Sequence, residues 1–457
     1  MITPLERRHF APIERLTRAE LEALQLRKLQ RLLSHNFEHN AFYRNVWRRH
    51  GLSGPEEISS LADFRRKVPA ITKDDVLADQ EEFPPFGRRL GVDRGRVRKV
   101  HTSSGTSGRA RETWGLTQAD VELSARGHVQ SLHWVGLVPG DVCITSMPNF
   151  FSAGQGSRLG TEKMGLVTFE VFGLPIERVL ELAEQFPPSL LLFPVSVLGR
   201  ALAERSLVPR EMFPALKALP VHAVSTDALP HLAEEWGTRT TESYGCTQAG
   251  NTLGSTCEAG SMNGEAPGMA HFFEDRYIVE CLDRETQEPC EPGAECEIVI
   301  TTLDREASPA IRYRIHDRAV FLPNASCDCG RPFHGFLPGT ISRWDDMLKI
   351  KGVNVWPSTI DEIVLAFPAV ADYRGVVYSD PRRGDCMEIR LFFREDAGET
   401  GEARTALMER VRTEVKHRTL VTPVIVESDE QLIPTSDLKP RRWTDQRRAA
   451  PSTPVPA

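Results

Sequence analysis

Between about residue 96 and residue 340, short apolar runs alternate with stretches of helical length, and this alternation constrains the chain more than any other feature. Residues 141–145, 166–172, 190–193 and 221–224 read as strands, with helix-length segments at 176–186 and 196–206 between them. Strands that alternate with helices predict an α/β sheet. Residues 297–302 and 318–322 predict antiparallel strands nearer its end. After Lys349-Ile350-Lys351-Gly352 the pattern restarts: a helix near 358–367, strands at 372–378 and 387–394, a helix at 403–418 with Leu407, Val411 and Val415 on one face, and a strand at 421–427. A second, α+β unit of about one hundred residues follows from this. The first hundred residues start helical, where Thr17 and Glu20 form a capping-box pattern and Leu26, Leu29 and Leu33 recur at helical spacing. The expected division is an N-terminal domain of sheets with packed helices over 1–344, a small mobile C-terminal domain over 345–440, and a flexible tail over 441–457.

At 457 residues the chain exceeds what one core usually holds, which agrees with two units. A net charge of -7 gives no reason to expect a nucleic-acid partner. The opening residues carry charges where a secretory leader needs an apolar core, and no run of about 18 apolar residues follows that could span a bilayer. A cytoplasmic location with no membrane partner is the expectation, and the glycosylation triplet at Asn324 carries no meaning in that setting. Nine scattered cysteines, an odd number, argue against a disulfide framework and direct attention to metal binding or catalysis.

His101-Thr102 leads into Ser103-Ser104-Gly105-Thr106-Ser107-Gly108-Arg109. Small hydroxylated residues and two glycines let backbone amides approach a polyphosphate, and Arg109 adds charge. The spacing is not that of a Walker loop. The same composition also suits an ordinary surface loop, so the residues alone leave both readings open.

With four further segments in order, the chain resembles the adenylate-forming acyl-CoA synthetase superfamily, and within it the phenylacetate-CoA ligase group. The segments are Ala41-Phe42-Tyr43-Arg44, Tyr244-Gly245-Cys246-Thr247, Tyr313-Arg314-Ile315-His316-Asp317, and the run from Arg343 through Gly352 to Pro357. The resemblance implies ATP, Mg2+ and coenzyme A as cofactors, and transfer of AMP from ATP to an aromatic (aryl or arylacetic) acid followed by acyl transfer to coenzyme A. Under it, residues 103–109 hold the phosphates, Asp317 accepts the ribose hydroxyls, and Tyr244 and Gly245 lie near the adenine. Thr247 and Gln248 reach the phosphate and its metal, Ser225, Thr226 and Asp227 line the adenine, and Arg343 joins the nucleotide site. Lys439 is the implied catalytic lysine, a cation to stabilise charge on the phosphoryl oxygens. Asp345 fits the hinge of a rotating C-terminal domain, and Gly352 either a turn or the approach of the pantetheine arm. Phe150, Phe151, Ala153, Phe193 and Cys246 are candidates for the acid pocket; core packing is the other role open to the phenylalanines.

Cys327 and Cys329 give two thiolates close in sequence, and Cys257 and His271 stand where this group tends to carry a cysteine and a histidine; together they are four ligands of the types a closed structural zinc site uses, with His334 as an alternative. Three positions depart from the family pattern: Gln248 where glutamate is usual, Arg109 where lysine is common, and His316 where glycine or arginine is frequent. Gln248 offers a cation an oxygen without a charge, which predicts a weaker metal contact. Two other outcomes remain open on sequence: an adenylating enzyme that delivers to a carrier protein or an amine, and a non-catalytic nucleotide-binding relative. A homodimer is common in the resembling group.

Overall fold

The computed structural model describes residues 10–448 except 104–110, 150–151, 223, 225, 260–267, 345–346, 381, 395–400 and 429–441. It divides into one unit over Met1–Ile341 and a second over Ser342–Ala457.

In the first unit the N-terminal helix Arg18–His39 begins on the expected capping box: Glu20 N donates to Thr17 Oγ1, and Thr17 N donates to Glu20 Oε2 at 2.7 Å. Leu21, Leu29 and Leu33 are fully buried along it. The next helix, Ala41–Arg49, sends Tyr43 into the interior, where its hydroxyl donates to Pro309 O and accepts from Ile311 N, both at 2.9 Å. The Ala-Phe-Tyr-Arg segment thus ties the N-terminal helices to the chain that leads into Tyr313.

The sheet runs along one path. Val167–Glu170, Val142–Thr145, Leu190–Leu192, Ala218–Val221 and Arg239–Cys246 are parallel neighbours in that order. Asn251–Thr256, Ala270–Phe272, Gly335–Phe336, Tyr313–Leu322, Glu295–Thr302 and Tyr277–Leu282 continue it antiparallel. Helices Ile176–Gln185 and Val195–Ala203 cross between parallel strands, as the alternation predicts. One strand lies elsewhere than expected: it is Ala218–Val221, which carries Pro220, and of the expected run 221–224 only Val221 belongs to it among the described residues. A proline within the run hid it, because proline cannot donate to a ladder.

Buried ions hold this unit together. The guanidinium of Arg331, fully buried, meets Glu14 at 2.9 Å and Glu258 at 2.9 Å and lies 4.6 Å over the Trp134 ring. Such a group is favourable only with its partners present, since removing one side leaves a desolvated charge.

The second unit packs helices Pro357–Leu365 and Glu402–Thr419 on a sheet of Val424–Glu427, Gly384–Phe393, Val370–Asp380 and Trp443–Asp445. Leu407, Val411 and Val415 are buried on one helix face, as their spacing predicts. Lys351 (φ +50°) and Gly352 (φ +83°) form the two-residue turn between Leu348–Ile350 and Val353–Val355, a hairpin type that needs positive φ at both positions. The expected flexible tail is corrected over residues 442–448. Trp443–Asp445 is an edge strand parallel to Val370–Asp380, and Arg442 Nε binds Asp372 at 2.8 Å. Trp443 Nε1 donates to the Tyr373 hydroxyl at 3.0 Å. No helix among the described residues is long and apolar enough to cross a membrane.

Among the buried groups of the first unit that titrate away from their ordinary ranges are two histidines and a glutamate. Burial holds His101 down at about 4, against a hydrogen bond to Gln155, and does the same to His128, also to about 4. Burial pushes Glu242 up to about 7. Between pH 6.5 and 4.5 acidification charges both histidines of the unfolded chain while the folded chain takes a proton on Glu242. For these three groups, two protons against one favour the unfolded state, so their contribution to stability falls as pH drops through this window, by about 1.4 kcal/mol per unit. Urea unfolding at pH 6.5 and 4.5 measures it, and a chain that grows more stable on acidification contradicts the burial of these histidines.

Candidate functional site

The parallel strands deliver their carboxyl ends to one edge of the first unit. Val142–Thr145 has Val167–Glu170 on one side and Leu190–Leu192 on the other, so the connections leaving Val142–Thr145 and Leu190–Leu192 diverge. A crevice opens where strand order reverses in this way, and open α/β sheets bind their ligands there. Ala153, in helix Ser152–Met164, and Phe193 occupy the two diverging connections and are both half-buried. Phe193 also packs against the core formed by Ile144, Leu191 and their neighbours. The end of Arg239–Cys246 joins the same edge, with Thr247 Oγ1 at 3.5 Å from Ser152 Oγ.

A separate two-stranded hairpin, Lys99–Thr102 with Thr113–Leu116, carries the loop that contains 103–109. Its neck is closed by two hydrogen bonds: Ser103 N donates to Glu112 O, and Glu112 N donates to Ser103 Oγ, both at 3.0 Å. Two buried contacts then fasten the neck to the sheet. Tyr313 Oη donates to Glu112 Oε1 and Gln248 Nε2 donates to Glu112 Oε2, each at 2.6 Å. His101 Nε2 lies 2.7 Å from Gln155 Oε1 of the crevice helix. Trp114, fully buried, has Arg89 at 4.7 Å and Arg305 at 5.6 Å over its ring. Burial and the Glu112 carboxylate drive the Tyr313 hydroxyl well above the usual tyrosine range, so it acts as a donor.

Asp317 lies four residues beyond Tyr313 on strand Tyr313–Leu322, where Tyr313, Ile315 and Asp317 alternate inward. The register against Glu295–Thr302 shifts between Glu297 and Val299, and His316 there has φ +62°. A bulge re-aims the side chain beside it. Glycine adopts such a backbone freely, which gives a physical reason for its frequency at this position; here His316 Nδ1 and Arg314 Nη2 instead bind buried Glu297, at 3.2 and 2.5 Å. Burial alone would raise the Glu297 carboxyl, but these hydrogen bonds outweigh it and hold it at about 2. Asp317 accepts a hydrogen bond from the Tyr244 hydroxyl at 2.8 Å, and Tyr244 sets its ring edge-on to Phe336. Gly245 follows because a Cβ there would meet Asn251 O at 2.2 Å.

The sequence candidates divide accordingly. Ser103, Tyr244, Thr247, Gln248 and Asp317 come together with Glu112 and Tyr313. Thr226 Oγ1 donates to Pro338 O at 2.7 Å, and Asp227 is exposed. Cys246 is half-buried; burial first and Asp317 second push its thiol up to about 12, which leaves it protonated and inert. Arg343 and Gly352 belong to the second unit. Ser104, Gly105, Thr106, Ser107, Gly108, Arg109, Phe150, Phe151, Ser225, Asp345 and Lys439 lie outside the described residues. Sequence reasoning missed Glu112, Tyr313 as its donor, and Arg305, whose Nη1 binds Gln248 O at 2.9 Å.

Away from this edge, Cys257, His271, Cys327 and Cys329 bring their four ligand atoms within 4.8 Å of one another. Cys257 Sγ and Cys327 Sγ are 3.8 Å apart, and Cys329 Sγ is 3.3 Å from His271 Nε2. Sulfurs bound tetrahedrally at ~2.3 Å from zinc stand about 3.8 Å apart, so the first spacing fits such an ion. His271 Nδ1 lies 2.9 Å from Phe333 O, which turns Nε2 toward the cluster, the usual outer contact of a ligating histidine. His334, the alternative ligand, is excluded from the group: its Nδ1 accepts from Asn324 N at 3.0 Å instead.

Residues 352–447 match the AMP-binding enzyme C-terminal domain. The phenylacetate-coenzyme A ligase of Thermus thermophilus is 30% identical over 428 residues, covering 90% of this chain and 93% of that protein. Its namesake in Escherichia coli is 27% identical over 448 residues, covering 95% and 97%. Among solved structures, 2-hydroxyisobutyryl-CoA ligase in the postadenylation state in complex with 2-HIB-AMP has a TM-score of 0.83 at 23% identity, covering 97% of this chain and 95% of that one. Anthranilate CoA ligase in complex with anthranoyl-AMP gives 0.56 at 17% identity, covering 84% and 74%. At such identities the structural likeness speaks for the fold alone. The match to the Thermus protein spans nearly the full length of both chains, and with it this chain belongs to the phenylacetate-coenzyme A ligase family.

Proposed function

We propose that this chain activates an aryl or arylacetic acid with ATP and transfers the acyl group to coenzyme A. The observation that carries the reading is the meeting of Ser103, Glu112, Gln248, Tyr313, Tyr244 and Asp317, up to 214 positions apart, at the carboxyl-end edge of a parallel sheet. The relatives' names, phenylacetate-coenzyme A ligase, supply the reaction class and the acid.

A carboxylate resists nucleophiles because its charge repels them and its oxide is a poor leaving group. In the first step a carboxylate oxygen attacks the α-phosphorus of ATP, the bond to the bridging oxygen breaks, and pyrophosphate leaves. In the second, the sulfur of coenzyme A attacks the acyl carbon, the carbon–oxygen bond to AMP breaks, and the thiol proton is released. Asp317, held by Tyr244, accepts the two ribose hydroxyls; the Ser103 loop receives the phosphates; Lys439 offers its ammonium to the phosphoryl oxygens. Ala153 and Phe193 contribute to an apolar wall for a flat acid.

Pyrophosphate exchange into ATP with a panel of aromatic acids, with and without coenzyme A, tests the reading. Acid-dependent exchange and coenzyme-A-dependent release of AMP are expected, whereas a carrier-loading enzyme leaves coenzyme A untouched. Asp317→Asn is expected to raise KM for ATP by about tenfold, the loss of ~1.4 kcal/mol of binding. Absence of exchange with aryl, arylacetic and short aliphatic acids alike rejects the reading.

Cys257, His271, Cys327 and Cys329 are proposed to hold one structural zinc ion, which joins the turn after Asn251–Thr256 to the 327–329 turn and takes no part in the reaction. Purified protein is expected to carry about one zinc per chain and to lose it, together with thermal stability, in Cys329→Ser. Undiminished zinc in that variant removes Cys329 from the site.

A further inference from the structure

The position after Thr247 carries an amide, Gln248, and the nearest negative charge has moved one residue deeper, to Glu112. Glu112 is 1% exposed. Its two oxygens are both acceptors already in use, one for the Tyr313 hydroxyl and one for Gln248 Nε2, each at 2.6 Å. An ionised carboxylate can only accept, so it admits the NH2 side of the amide and refuses the carbonyl side. The amide is thereby turned one way. Gln248 Nε2 faces inward, while Gln248 Oε1, on a half-buried side chain, accepts no hydrogen bond from any described residue. Its main chain is fixed as well, since Arg305 Nη1 binds Gln248 O at 2.9 Å. Next to it stand Thr247, with its hydroxyl toward Ser152, and the neck of the Ser103 loop, closed by Glu112 itself.

We propose that Glu112 is a positioning residue that fixes the Gln248 amide with its carbonyl oxygen outward, as an acceptor for the divalent cation that accompanies ATP. The inference rests on the adenylation reading above. A hard cation takes neutral carbonyl oxygens as ligands, and a carboxylate hydrogen-bonded behind such a ligand raises its basicity without touching the metal. The arrangement assigns the two tasks of a single carboxylate, charge and oxygen, to two residues. It also carries a consequence that a merely structural Glu112 does not. Glutamate at 248 would face Glu112 at hydrogen-bond distance, two like charges that cannot both ionise, so the substitution that returns the family's usual residue should harm this chain.

The test is a charge swap read by the Mg2+ dependence of pyrophosphate exchange, on variants first shown by circular dichroism and thermal unfolding to be folded. Glu112→Gln is expected to raise the Mg2+ concentration for half-maximal exchange by about tenfold, the low end for partners standing behind a metal ligand, while kcat at saturating Mg2+ falls much less. Gln248→Glu is expected to do the same, because it sets a carboxyl against the Glu112 carboxyl in place of the amide. Combining them restores one carboxylate facing one amide, and the Mg2+ requirement should return to within about threefold of the parent. A double variant no better than the worse single one, or a Glu112→Gln enzyme with the parent's Mg2+ requirement, overturns the proposal. If the parent exchanges pyrophosphate with no acid, the adenylation reading fails separately; the same four proteins are then compared by calorimetry for Mg2+-dependent ATP binding. There, binding with equal Mg2+ dependence in all four, or none in the parent, overturns the proposal too.

Discussion

The hydrogen bond from Tyr313 to Glu112 answers a constraint on which the whole candidate site depends. The Ser103 loop hangs on a two-stranded hairpin that belongs to no larger sheet, and an isolated hairpin is marginal in water. It persists because the start of its second strand is fastened by two sets of contacts. Glu112 meets Tyr313 and Gln248, and two residues on Trp114 has Arg89 and Arg305 over its ring. Burying two guanidiniums costs much unless negative charge and aromatic faces offset it, and Glu112 is among the charges that raise Arg89 against its desolvation. The polar cluster is therefore both the anchor of the loop and a place where a single change of charge is felt widely.

Strand Tyr313–Leu322 carries this anchor and the second carboxylate together. Tyr313 and Asp317 share its inward face, so the loop neck and the Tyr244–Asp317 pair are held at a spacing set by the strand and its bulge at His316. In turn Tyr43 pins the chain just before Tyr313 through Pro309 and Ile311, which gives the N-terminal helices a part in the site without any residue in it. Cys257, His271, Cys327 and Cys329 cluster elsewhere in the same unit, next to the buried Arg331 ions.

The sheet was largely legible in the sequence because burial and periodicity are local. Residues 141–145 and 190–193 read as strands, and the Leu407, Val411 and Val415 face read as a helix, from patterns a few residues long. Ala218–Val221 was displaced by its proline, and Trp443–Asp445 was hidden in an Arg-rich stretch whose partners, Asp372 and Tyr373, lie some 70 positions away. The same distance in sequence explains Glu112. Nothing next to it distinguishes a lone glutamate after an arginine from a surface residue; its role appears only once Tyr313, 201 positions on, and Gln248, 136 positions on, are folded against it. Gln248 reads in the sequence as a loss of charge, and the carboxylate to which its amide donates, Glu112, is not visible from there.

The central claim, that the acid itself attacks the α-phosphorus of ATP, is tested most directly by the fate of oxygen. The protein is supplied with ATP, Mg2+, coenzyme A and an arylacetic acid labelled with oxygen-18 in its carboxylate, and the products are weighed by mass spectrometry. The account predicts one labelled oxygen in each AMP formed, because the carbon–oxygen bond broken by coenzyme A leaves that oxygen on phosphorus. Label appearing in orthophosphate beside ADP, or unlabelled AMP, would contradict it.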